Sequence, residues 1–465
     1  MSSTNIKFTI LIIIISSLSI MRCTAKKDVA KYISQGKIDY NLSKSDDLML
    51  DSIQRQTFQY FVHESHPEFG IVRDRTAEGS FASIAATGWG LPTLAVGVER
   101  HWMSREEAAS RTLKTLKFFY DSRNNPTRGY KGFYFHFLDW KEGKRVDTWV
   151  ELSSIDTGIL MMGAVFARNY YDKNSSIEAE IRDYATKLLS NMDWNVFKMD
   201  EKSVQPHTIS MAWHPEKGTT NWGWHGYTEG LFLYVLAAGT GIDNPIQHYN
   251  AWLKDYAWKE PYPGLAHVAF PPLFGHQFSH IFIDFRGLSD QYLKEKGIDY
   301  FENSRRATLA QQQYAIQNPK GWKGYDAHTW GFTATDGCGP KYNFGDKKFE
   351  GYAGRGATGK DDVVAEDGTI GIYGPICSLP FTPEESLKTI KNIKSKMGSK
   401  LWGKYGFYDS FNETANWVSP DFVGLDQGPT ILAIENFRTG LVWNYVMKDS
   451  VIQKGLERLH FEYIK

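Results

Sequence analysis

Four acidic residues stand where a carboxyl group could act on a bound substrate. Glu229 lies in Gly226-Tyr227-Thr228-Glu229-Gly230, at the first turn of a strongly apolar segment and just after Trp222, Trp224 and His225. Asp156, in Ser153-Ser154-Ile155-Asp156-Thr157-Gly158, enters a second apolar segment, and Asp426, before Gln427-Gly428-Pro429, enters a third. Glu366 shares a loop with Asp367 and Gly368. Cleavage of a glycosidic bond uses such groups in pairs, one protonated to assist the leaving oxygen and one ionised to activate water or attack carbon. An acid at a helix start also has a plainer explanation, attraction to the positive end of the helix dipole. That explanation serves any one of the four better than it serves all of them, each near an apolar helix beneath aromatic loops.

Three other constellations lead elsewhere. Gly354 to Gly359 followed by Lys360 has phosphate-loop spacing, but Asp361 stands where a hydroxyl is required and no apolar strand precedes it, so it reads as an acidic loop. His276 and His280 are one helical turn apart, with Asp284 a turn further. A zinc protease would need Glu after the first His, and Gln277 is there instead. The pair reads as packing or sugar contact, and no metal is expected. Cys338 and Cys377 lack the basic neighbours that activate a thiol.

The elements that must position these acids are mostly helical. Ser104-Arg105-Glu106-Glu107 is a capping box leading to Ala108, Thr112, Leu116 and Phe119 on one face, and Thr382-Pro383-Glu384-Glu385 repeats the device. Asp299 and Glu302 open a helix that Pro319 ends. Apolar spacing predicts further helices over 48–64, 84–100, 151–171, 177–192, 226–238, 246–257, 274–284, 370–378 and 427–447, roughly twelve in all. Some are apolar all round and others have one wet face, so an inner and an outer layer is expected. The links 124–148, 200–225, 319–369 and 398–425 are long and rich in Gly and aromatics, the places where function is usually carried.

Composition narrows the ligand. The 465 residues contain 53 basic and 53 acidic side chains, so nothing attracts nucleic acid or an anionic surface, and a neutral partner fits better. Aromatics make up 15% of the chain, many of them in loops where core periodicity does not explain them and where flat, CH-rich sugars would fit. At the N-terminus, Lys7 precedes an apolar run from Phe8 to Met21, short for a membrane span, which reads as a signal peptide over 1–22. Cys23 is then placed as a lipidated cysteine, 23–47 as a polar tether and 48–465 as a single domain. The expected location is exported, periplasmic or anchored to the outer membrane. Export would also permit a disulfide between Cys338 and Cys377.

Several short motifs resemble the glycoamylase-like family, which includes the endo-β-1,2-glucanases of glycoside hydrolase family 144. They are Ser80 to Gly88, Ser154-Ile155-Asp156-Thr157, Gly226 to Gly230, Pro272 to Gln277, Trp330-Gly331 with Thr335-Asp336-Gly337, and Gly406 to Asn412. The resemblance runs from about Leu48 to Met447. It implies an all-α (α/α)6 toroid of six helical hairpins and hydrolysis of a neutral glucan, β-1,2-glucan or sophoro-oligosaccharides, by an inverting two-carboxylate mechanism. It implies no metal or cofactor, and the protein is expected to be a monomer. Glu229 resembles the family's general acid and Asp156 a second cleft acid, while Asp426 and Glu366 both stand as the base. Trp330 and Phe411 would be stacking platforms. His276, Gln277, His280, Arg286, Trp224 and Asp336 would be further substrate contacts. Other readings are a surface glycan-binding lipoprotein, a glucoamylase-type hydrolase of α-glucan, and a lyase or epimerase on the same toroid. Paired acids count against the first, and mixed loop charge against a uronate lyase.

Overall fold

The computed structural model describes residues 30–340 and 347–464. Met1–Lys31 and Tyr32–Lys465 separate as two compact units, and the fold is that of the second. The apolar run from Phe8 and the cysteine at position 23 lie outside the described residues. Segment 32–47, expected as part of a tether, belongs to the compact unit. Tyr32 is buried and its hydroxyl donates to Phe461 O at 2.8 Å, while Ile38 N–H donates to Phe437 O.

Fifteen helices occur among the described residues. They are α1 (Lys44–His63), α2 (Ile84–Glu99), α3 (Arg105–Ser122), α4 (Ser154–Tyr170), α5 (Ser176–Ser190), α6 (Leu231–Thr240), α7 (Pro245–Leu253) and α8 (Phe274–Phe282). There follow α9 (Gln291–Lys296), α10 (Tyr300–Gln317), α11 (Tyr373–Cys377), α12 (Pro383–Met397), α13 (Gly424–Thr439), α14 (Leu441–Val446) and α15 (Ser450–Arg458). The expected count of about twelve falls short for local reasons. Gly440, left-handed at φ 72°, divides the segment expected as one helix over 427–447. Residues 369–371 form a strand rather than the first turn of a helix. The capping box at Ser104 forms, its Oγ accepting from Glu107 N–H at 3.1 Å. Thr382 makes no such cap; its hydroxyl turns to Ser378 and Ser386 instead.

The apolar helices are inside. Almost every residue of α2, α4, α6 and α13 is buried, whereas α3, α5 and α12 bury one face. Helix α2 packs against α4 and α13, α4 against α6, α6 against α8, and α13 against α8 and α11. The α2–α4 contact is close because glycines meet: a Cβ at Gly163 would lie 2.3 Å from Gly88 O, closer than any side chain tolerates.

The strands, none longer than four residues among those described, tie loops together at the helix N-termini. Val72–Arg73, Ala82–Ser83 and Phe137–Leu138 form one small sheet, and Ser83 caps α2 by accepting from Ala86 N–H. Leu152–Ser153 pairs with Ala212–His214, and Ser153 caps α4 in the same way, accepting from Asp156 N–H. Gly424 N–H donates to Asp74 O at 2.6 Å, joining the start of α13 to the loop before α2. The N-terminal ends of α2, α4 and α13 therefore share one set of loops.

Candidate active site

Two groups of acids converge at those N-termini. The first is built on α4 and the residues just before α6. The backbone cap of α4 makes Ser153 and Asp156 face each other, and the Ser153 hydroxyl donates to the Asp156 carboxylate. His136 Nε2 stands 3.4 Å from Asp156 Oδ1, and its Nδ1 is 2.8 Å from Glu151 Oε1. Burial alone would lower the His136 imidazole; Asp156 and Glu151 outweigh it and hold it at about 9, so it is an imidazolium at neutral pH. Burial raises the Asp156 carboxyl, an effect partly offset by His136 and Ser153. Among the described residues Glu229 forms no ion pair. Crowding by protein pushes its carboxyl up to about 7, with a smaller push from the Asp156 charge, although the residue is only partly shielded from solvent. A group surrounded by protein yet reached by water lines a cleft.

The second group is built on α13 and the loops at 74–75, 336 and 409. Arg75 Nη1 donates to both oxygens of Asp336 at 3.0 and 2.9 Å, and its Nε donates to Asp74 at 3.1 Å. Asp336 N–H in turn donates to Asp409 Oδ2 at 2.8 Å. Asp409 and Asp426 face each other. As two carboxylates neither can donate, and both oxygens of Asp426 and Oδ1 of Asp409 have no hydrogen-bond partner. A single proton between them supplies the missing donor. Burial raises both carboxyls, Asp409 to about 6 and Asp426 further, its shift enlarged by the Asp409 charge. Tyr352, although 53% exposed, has its phenol raised by crowding and then by the charges of Asp426, Asp409, Asp74 and Asp336. Asp74 acts electrostatically on Asp156 and His136 as well as on Asp426, which joins the two groups into one site.

Of the residues expected from the sequence, Glu229, Asp156, Asp426 and Asp336 come together here. Others do not. Glu366 pairs elsewhere, its Oε2 3.0 Å from Lys320 Nζ, and its charge adds to the burial that raises the phenols of Tyr314 and Tyr325. Trp330 and Phe411, expected as stacking platforms, are fully buried in the apolar cluster around α10, α11 and α12. His276, Gln277 and His280 are core residues. His276 Nε2 bonds Phe270 O, His280 Nε2 pairs with Ser304 Oγ, and Gln277 donates to Gly374 O and Ser378 Oγ. Arg286, beyond the C-terminal end of α8, grips Asp284 and donates to Gly36 O. Trp224 is buried with its indole N–H on Ser154 Oγ at 2.9 Å, so it braces the start of α4. Cys338 and Cys377 are both unpaired. The phosphate-loop spacing falls on the hairpin Gly356–Gly359/Asp362–Val364, with no helix after it to receive a phosphate.

Five contributors were not evident in the sequence. Asp409 stood inside a motif already noted, and its position in a long aromatic loop was a usable signal. His136 and Glu151 stood beside loop and helix boundaries, and Asp74-Arg75 reads as an ordinary surface doublet until the fold pairs it.

A helical scaffold that gathers buried, proton-holding carboxyls at helix N-termini defines a protein built for acid–base chemistry. Comparison with known proteins makes this specific. Residues 221–450 match the family model described as “Putative glucoamylase”. A crystal structure of the same description from Bacteroides uniformis is 32% identical, covers 91% of this chain and 99% of that one, and superposes with a TM-score of 0.79. The chain belongs to this glycoamylase-like family. An endo-β-1,2-glucanase from Chitinophaga pinensis, solved with sophorotriose and glucose, is 28% identical, with coverage of 91% and 100% and a TM-score of 0.78. An exo β-1,2-glucooligosaccharide sophorohydrolase (non-reducing end) from Parabacteroides distasonis is 29% identical over 444 residues, 89% of this chain. The chain spans 58% of that relative's length.

Proposed function

We propose that this protein is a glycoside hydrolase acting on β-1,2-linked glucan or sophoro-oligosaccharides, by an inverting two-carboxyl mechanism. The observation that carries the reading is the pairing of a lone carboxyl that holds its proton near neutrality with an opposed aspartate pair that holds one proton and one charge. Glu229 protonates the departing glycosidic oxygen. The Asp409–Asp426 pair, with one negative charge between them, takes a proton from the attacking water. Arg75 and Asp336 position Asp409, and His136 fixes Asp156 beside the proton donor. The linkage rests on the two β-1,2-glucan-active relatives. The scaffold is a toroid of six hairpins with α2, α4, α6, α8, α11 and α13 inside, a reading supported by their succession of contacts. An exported location is part of the same proposal and rests on the pattern of residues 7 to 23.

The test is product analysis of residues 24–465 on a panel of α- and β-glucans beside Glu229→Gln. Oligosaccharide release from β-1,2-glucan, absent in the variant, supports linkage and acid together. Turnover that survives in the variant removes Glu229 from its role, and no release from any glucan sinks the enzymatic reading.

A further inference from the structure

An exposed tryptophan is ordinary on its own. Trp149 is not on its own. It is 54% exposed, and its ring centroid lies 6.2 Å from that of Phe81 and 6.1 Å from that of Phe137, themselves 6.1 Å apart. Phe137 is stacked at 3.9 Å on His136, which contacts Asp156. One aromatic surface thus runs from the acids of the cleft out to Trp149, two residues before Glu151.

The loop that carries Trp149 is also fixed in advance. Arg145 Nε donates to Val150 O and its Nη2 to Thr148 O, both at 2.7 Å, gripping the carbonyls on either side of the tryptophan. Arg145 is itself held by Glu216 at 2.6 Å, lies 4.6 Å over Phe135, and is only 11% exposed. Val150 N–H donates to Asp147 O, closing a turn with Trp149 near its apex. A nearly buried arginine clamping a loop whose only large apolar side chain points into solvent serves no core packing. It removes the ordering cost a ligand would otherwise meet.

We propose that Trp149, with Phe81 and Phe137, is a glucosyl-binding subsite beyond the acids, stacking the CH-rich face of a pyranose ring in longer substrates, and that Arg145 positions it. The proposal rests on the reading of the cleft as a glucan site. A subsite away from the reacting bond adds affinity for chains long enough to reach it.

The experiment compares kcat and KM for long β-1,2-glucan and for sophorotriose in the wild type, Trp149→Ala, Trp149→Phe and Arg145→Lys, with thermal unfolding as a control. Trp149→Ala is expected to raise KM for long glucan about tenfold, equivalent to about 1.4 kcal/mol of lost binding, and for sophorotriose about threefold or less. Trp149→Phe should recover most of the loss. Arg145→Lys, which cannot reproduce the fork on two carbonyls, should shift the long-to-short KM ratio in the same direction by a smaller factor. Equal changes on both substrates, or none, overturn the subsite while leaving the hydrolase reading intact. A wild type that cleaves neither overturns both.

Discussion

The two acid groups both hold carboxyls crowded by protein, and they differ in what stands beside each carboxyl. Around Glu229 no ion pair forms among the described residues, so crowding, with a smaller push from the Asp156 charge, holds its proton up to about pH 7. Around Asp426 a second carboxyl faces it, and the two must divide one proton because both cannot ionise at close range. Asp336 has Arg75 against it, donating to both of its oxygens. Neighbours, more than depth, decide which carboxyl is an acid and which a base.

That contrast breaks most completely at Asp426. Asp426→Asn is expected to lower kcat about a thousandfold, the scale of losing a general acid or base, as measured by reducing-sugar release. Asp409→Asn should cost less, about a hundredfold at the lower end of the same range, because Asp426 remains. Freed of its like-charged neighbour, Asp426 would then ionise at lower pH, and the acid limb of the rate profile should move down.

The pH profile of the wild type sharpens the same point. Rate should rise as the pair loses its first proton near pH 6 and fall as Glu229 loses its own near pH 7, a narrow bell in kcat/KM. His136→Gln perturbs only one limb. Without the imidazolium, buried Asp156 takes up a proton and its charge no longer raises Glu229. The alkaline limb should therefore shift to lower pH, by only part of the full displacement because burial remains.

Arg355 and Asp367 show what a paired carboxylate does away from catalysis. Arg355 donates to both Asp367 oxygens at 2.8 and 2.9 Å and to Thr335 O, all of it buried. Burial would raise Asp367, but Arg355 outweighs it and holds the carboxyl below its ordinary value. A folded-state value below the unfolded one contributes stability above the unfolded pKa, lost as pH falls through the folded value. Arg355→Met should cost about 3–5 kcal/mol in denaturant unfolding, as for breaking a buried pair. The smallest effect is expected at Glu366, the discarded rival for the base. Glu366→Gln should leave kcat within about twofold, and a loss on the scale of Asp426→Asn, in the range usual for general bases, would restore its candidacy.

The helices, most of their starts, and Glu229, Asp156 and Asp426 as candidate cleft acids were legible from residue order alone. Local rules govern them: apolar spacing sets the buried face, Ser or Asp sets the first turn, and an acid at that turn is visible in the motif. Trp330, Phe411, His280 and Arg286 were misplaced for the opposite reason. An aromatic in a loop or a histidine on a helix looks the same in sequence whether it faces the cleft or the core, and only packing separates the two. Asp409 and Arg75 entered the site through partners far away in sequence, Asp426 and Asp336. The sequence by itself determined the scaffold and the kind of chemistry, because both depend on short-range pattern and composition. Only the tertiary structure decided which acids hold protons, because a carboxyl's charge depends on burial and on what stands against it.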